Sequence, residues 1–75
     1  MVHTVAMHTN GHLITALRWE RGESQTDVAV ATGMDRTHLS RIESGKRVGT
    51  PAQVKALAEH FGITVAELLA DGEAA

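Results

Sequence analysis

The sequence predicts an all-α domain of five short helices, and three observations carry that prediction. Apolar residues recur at spacings of three and four rather than two, the period of a helix that buries one face. Glycine interrupts this pattern at Gly22, Gly33, Gly45 and Gly62, each time where the helical period stops. Residues suited to capping a helix N-terminus, Ser24, Asp35, Thr50 and Thr64, follow those interruptions within a few positions.

Residues 1–10, MVHTVAMHTN, have no helical signal and read as a flexible or short extended N-terminal arm. From Gly11 the pattern turns helical, with Leu13, Ile14 and Leu17 on one face and Gly22 closing the run. Ser24 and Asp27 form a capping-box pair for a second helix, whose Val28, Ala29 and Ala31 offer a small-residue face. Gly33 supplies the positive φ of a tight interhelical turn. Asp35 is the expected N-cap of a third helix that ends at Gly45. Leu39 and Ile42 lie on one side of it, and Arg36, Thr37, Ser40, Arg41 and Ser44 share the opposite arc. Thr50 and Pro51 are an N-cap and N1 pair for a fourth helix striped with Val54, Leu57, Ala58 and Phe61. TVAE, Thr64 to Glu67, is a capping box for a fifth, carrying Leu68 and Leu69. Residues 11–70 then form one domain and residues 71–75 a short tail, with no repeat or linker between the helices.

Composition narrows the function classes. The 75 residues contain no cysteine, which excludes a disulfide framework and a thiolate metal site. No apolar run approaches the roughly 18 residues of a membrane span, and nothing at the start reads as a signal peptide, so a cytoplasmic protein is expected. His3, His8, His12, His38 and His60 are scattered. His8 and His12 have the spacing of a helical metal pair, but Asn10 and Gly11 lie between them and no carboxylate completes a site. Neither a nucleophile with its base nor a metal set is present, so no catalysis, metal or cofactor is expected.

A net charge of −2 argues against nucleic acid until its distribution is read. Within residues 36–47, Arg36, Arg41, Lys46 and Arg47 face Glu43 alone; within residues 48–75, Lys55 stands against Glu59, Glu67, Asp71 and Glu73. One edge is cationic and the far side acidic.

The stretch TGMDRTHLSRIESGKR, residues 32–47, concentrates the chemistry. Two short helices joined by a glycine-centred turn, the second with an arginine-bearing face, are the parts of a helix-turn-helix. An exposed arginine face or a glycine turn is commonplace alone; their joint spacing carries the reading. A recognition helix needs apolar residues to seat it, here Leu39 and Ile42, and side chains able to reach base edges. Arg36 and Arg41 carry the planar fork that fits guanine O6 and N7, and the Thr37 methyl can touch a thymine methyl. Gln25 and the Lys46–Arg47 loop are suited to phosphates.

Over residues 13 to 69 the chain resembles the lambda repressor/Cro-like helix-turn-helix family, through the runs LRWERGESQTDVAVATGMDRTHLSRIESGKR, residues 17–47, and TPAQVKALAEHFGITVAELL, residues 50–69. That family also includes restriction-controller proteins and antitoxins. The resemblance implies recognition of double-stranded DNA by the third helix and a homodimer, formed in solution or only on DNA, on a palindromic operator. By position it implies base reading by Arg36, Thr37, Ser40 and Arg41, and phosphate contacts from Gln25, His38, Ser44, Lys46 and Arg47. It further implies an ion pair of Arg18 with Glu43, bracing the first helix against the third. Val65, Leu68, Leu69 and Trp19 are the candidates for a dimer or partner contact. The implied setting is a bacterial or phage-infected cell, at the nucleoid, with promoter occlusion by a Cro-like repressor. A restriction-controller-like activator, or an antitoxin whose main partner is a toxin protein, shares the same DNA-binding parts.

Three positions depart from the family pattern. Glu23 replaces a usual leucine, which predicts a missing core contact or a more open loop. Thr32 replaces a common apolar residue. Trp19 stands where a polar residue is usual, and either lies flat on the helix surface or meets a partner or a phosphate.

Overall fold

The computed structural model describes residues 9–69, which form five helices and no strand. In chain order they are α1 Gly11–Glu20, α2 Gln25–Thr32, α3 Arg36–Glu43, α4 Pro51–Phe61 and α5 Val65–Leu69. The arm over residues 1–8 and the tail from residue 70 lie outside the described residues.

Four of the five helices begin where a side chain offers an acceptor to their orphan N–H groups. The Asn10 side chain accepts from the Leu13 N–H and starts α1. Ser24 with Asp27, Thr50 with Gln53 and Thr64 with Glu67 close reciprocal boxes at α2, α4 and α5. The helix ends are equally local. At the turn between α2 and α3, Gly33 takes φ +73°, and the Met34 N–H reaches back 3.0 Å to the Ala29 carbonyl. Only glycine reaches that left-handed conformation without strain, so the chain reverses in two residues.

The helices enclose one aliphatic core of Ile14, Val28, Ala29, Leu39, Ile42, Val54, Leu57, Ala58, Phe61 and Leu68. Leu13, Leu17, Met34, Ile63 and Leu69 pack around it, half-buried. α2 lies against both α3 and α4, α1 against α3, and α5 against α4. Within this packing α3 buries Leu39 and Ile42 and leaves Arg36, Thr37 and Arg41 to solvent.

Several expectations are corrected. Residues 9 and 10 belong to the fold rather than to an arm: Thr9 is buried with its hydroxyl donating to the Val48 carbonyl, and the Asn10 N–H donates to the Leu68 carbonyl at 2.8 Å. Leu68 is fully buried, so it is core and not a dimer contact. Ala31 is exposed, because the buried face of its helix is made by Val28 and Ala29. Asp35 holds the N-cap position of α3, but its side chain makes no capping hydrogen bond.

Glu23 neither leaves a gap nor opens its loop. Its carboxylate takes the His60 Nε2 at 3.0 Å and the Arg21 Nε at 3.3 Å, so polar contacts replace the apolar one between the α1–α2 loop and the end of α4. Arg21 also stacks over the Phe61 ring, with its guanidinium carbon 5.5 Å from the centroid. Thr32 returns its hydroxyl to the Val28 carbonyl at 2.7 Å, which satisfies it within its own helix. Trp19 is 71% exposed.

Candidate nucleic-acid interface

α3 is amphipathic along its whole length. Leu39 and Ile42 are fully buried and anchor it, while Arg36, Thr37 and Arg41 are exposed on the opposite side with Ser40 and His38 half-buried between the two faces. Ser44 is the C-cap residue; its hydroxyl donates to the Arg41 carbonyl at 3.1 Å and stays exposed. Just beyond, the N–H groups of Lys46 and Arg47 fold back onto that same carbonyl at 2.8 and 3.2 Å. Two exposed cations are thereby held beside the end of α3 rather than on a free loop. Among the described residues, no ion pair or hydrogen bond engages the side chains of Arg36, Arg41, Lys46 or Arg47.

Glu43 is the acid within this basic stretch, and it is turned inward. The Arg18 guanidinium grips it through Nε at 2.9 Å and NH2 at 3.0 Å, the Thr15 hydroxyl donates at 2.9 Å, and the Gln25 amide donates at 3.2 Å. Both members of the ion pair are largely buried, with side-chain exposures of 11% for Arg18 and 6% for Glu43. Burial alone would raise the Glu43 carboxyl, but the hydrogen bonds from Arg18, Thr15 and Gln25, with the Arg18 charge, outweigh it and hold the group below 4.5. The carboxylate thus stays charged, yet its charge is neutralised locally and the outer face of α3 remains cationic. Arg18 also donates to the Glu23 carbonyl at 3.1 Å, tying the α1–α2 loop to the same knot.

Gln25 opens α2 and is half-buried. One of its two amide hydrogens is engaged by Glu43, which leaves the other for a second acceptor. Thr15 and Asn10 were not legible as site residues. Thr15 lies three positions before Arg18, on the same helical face, and Asn10 immediately precedes the helical run; both signals are local and weak until the partner is known. Among the described residues, no three His, Asp or Glu side chains gather into a metal-binding group, and no helix is long and apolar enough to cross a membrane.

A glycine-turned helix pair that seats its second member on a buried stripe and presents arginines outward is a helix-turn-helix DNA-binding domain. Comparison with known proteins agrees, since residues 11–70 match the family described as a helix-turn-helix domain. The control protein C.MunI of a Mycoplasma species is 36% identical over 64 residues, which cover 84% of this chain and 86% of that protein. The transcriptional repressor RghR of Bacillus subtilis (strain 168) is 41% identical over 58 residues, 76% of this chain but only 43% of its own length. The crystal structure of the restriction-modification controller protein C.AhdI from Aeromonas hydrophila is similar at a TM-score of 0.71 and 31% identity, over 77% of this chain and 88% of that one. The chain belongs to the helix-turn-helix family, as a DNA-binding transcriptional regulator and not an enzyme.

Proposed function

We propose that this regulator binds a palindromic operator as a homodimer, with α3 of each copy in the major groove, and acts by occluding a promoter. The observation that carries the reading is the outer face of α3, where Arg36, Thr37 and Arg41 are exposed while Leu39 and Ile42 fix the helix from behind. Arg36 and Arg41 read guanine through bidentate bonds to O6 and N7, Thr37 meets a thymine methyl, and Ser40 contributes a hydroxyl at the groove edge. Gln25, His38, Ser44, Lys46 and Arg47 contact phosphates and set the register without carrying sequence information. Two-fold symmetry places the half-sites about one helical turn apart, roughly 34 Å.

The second copy seats on an apolar groove of about 340 Å³ lined by Val48, Gly49, Pro51, Val54, Val65 and Leu69. Val65 and Leu69 are the sequence candidates that reach it, and Val48 and Val65 remain 39% and 38% exposed in the single chain. Trp19 lies on α1, whose residues do not line that groove, and is left as a surface for DNA or a partner. A controller-type activity is the second reading. It is favoured by the similarity to C.MunI and C.AhdI over most of their lengths.

Selection from a randomised duplex pool tests the first reading, with the winners titrated at several salt concentrations and sedimented with and without DNA. A palindromic, guanine-containing motif bound by two copies is expected. Absence of any enriched motif would overturn it. Placing the winning site upstream of or across a reporter promoter separates repression from controller-type activation.

A further inference from the structure

Asp35 is an exposed acid at the N-terminal end of α3, the helix that carries Arg36 and Arg41. Its backbone adopts the extended N-cap conformation, φ −70° and ψ 142°, yet its side chain caps nothing. Elsewhere in the fold the N-cap side chains are engaged: Asn10, Ser24 and Thr50 accept from the N–H groups of Leu13, Asp27 and Gln53. The Asp35 carboxylate is exposed, and among the described residues it has no ion-pair or hydrogen-bond partner. It adjoins Arg36, at the N-terminal end of the helix, the end from which side chains reach base edges in this motif.

We infer that Asp35 is a specificity-determining residue that accepts a hydrogen bond from the exocyclic amino group of a cytosine in the operator half-site. The inference rests on the DNA-binding reading above and sharpens it. A carboxylate is acceptor-only at neutral pH, so it needs a base edge that presents a donor. In the major groove cytosine offers the N4 amino group with no acceptor on the same base edge, whereas adenine places the N7 acceptor beside its amino group. Thymine presents the O4 acceptor and repels a carboxylate. Next to it, the Arg36 fork matches guanine N7 and O6. Neighbouring residues of opposite charge therefore complement the acceptor, acceptor, donor order of a G·C pair. The same carboxylate disfavours phosphates, which weakens non-specific binding and adds to discrimination.

The test is duplex selection with the wild-type chain and with Asp35→Asn, which keeps the size and capping ability of the side chain but can donate as well as accept. Melting of both proteins checks that the fold is unchanged. Replacing the critical cytosine by thymine should weaken wild-type binding by about 5- to 150-fold, while Asp35→Asn should show little of that loss and keep its guanine preference elsewhere. Three results would overturn the inference. If Asp35→Asn selects the same motif with the same discrimination, the cytosine contact is absent and the DNA-binding reading stands. If it tightens all sequences equally, the carboxylate acts only by repelling phosphates. If the wild type enriches nothing, the operator reading fails together with this one.

Discussion

A methyl group at Gly11 has nowhere to go. An ideal Cβ there would sit 2.2 Å from the Glu43 carbonyl oxygen and 2.7 Å from that of Ile42, both backbone atoms that cannot swing aside. Helix propensity favours alanine over glycine by about 1 kcal/mol, yet overpacking costs about 1–3 kcal/mol, so the steric term wins. Gly11→Ala should lower stability in urea denaturation and push α1 away from α3; an unchanged midpoint would contradict the packing. Leu39 makes the opposite case, since it is fully buried and its truncation leaves a cavity. Leu39→Ala should cost about 2–5 kcal/mol and reduce DNA binding through loss of folded protein, without altering which bases are preferred. Arg41→Ala should leave melting nearly unchanged, lose about 1–3 kcal/mol of affinity for the cognate duplex, and relax one base pair. Equal weakening of cognate and mismatched duplexes would place Arg41 on a phosphate instead.

At the scale of elements, three helices meet on one carboxylate. Glu43 of α3 gathers Thr15 and Arg18 from α1 and Gln25 from α2, so the angle between the two helices of the motif depends on a charge. The folded carboxyl lies below the unfolded value of 4.5, which makes its stabilising contribution fully present above that pH. It is lost as the pH falls below 4.5 through the depressed folded value. Arg18→Met removes the strongest partner and leaves a buried charge, a loss of about 3 kcal/mol at neutral pH. In that variant burial dominates and favours the protonated acid, so the gap to the wild type should narrow as the pH drops from 7 toward 4. Thermal melts across that range would show a constant gap if Glu43 were not the cause.

What the sequence disclosed and withheld follows the same division. Helix starts and stops were legible because a cap or a positive-φ glycine acts within five residues: the boxes at Ser24, Thr50 and Thr64 form, and Gly33 and Gly62 end their helices. The inner and outer faces of α3 were legible from spacing alone. The Asn10 cap is just as local, but it ends a ten-residue stretch that carries no helical signal of its own. The close approach at Gly11, the Thr15 hydrogen bond and the Glu23–His60 contact were hidden, since each joins residues 28 to 37 positions apart and depends on how the helices pack. Spacing does not separate Leu68, a core residue, from a dimer contact, for a related reason. A leucine on a short terminal helix has the same spacing whether it faces its own core or another copy.

For the whole molecule, charge is arranged by element and not by sum. The exposed cations Arg36, Arg41, Lys46 and Arg47 lie along α3 and the loop after it, while Glu59 and Glu67 are exposed on α4 and α5 in a chain of net charge −2. Such a molecule approaches a polyanion in one orientation, and its affinity should fall steeply with salt because each phosphate contact releases condensed counterions. Lys46→Ala should therefore weaken every duplex to a similar degree and reduce the slope of log K against log salt by about one unit. Lys55, exposed on α4 outside the cationic stretch, is the matched control, and Lys55→Ala should leave the slope unchanged. Equal slope changes for both variants would mean that attraction follows net charge and not the face built around α3. A slope change for Lys46 alone, the same on matched and mismatched sites, would assign that residue to the backbone and leave sequence choice to the side chains of the helix.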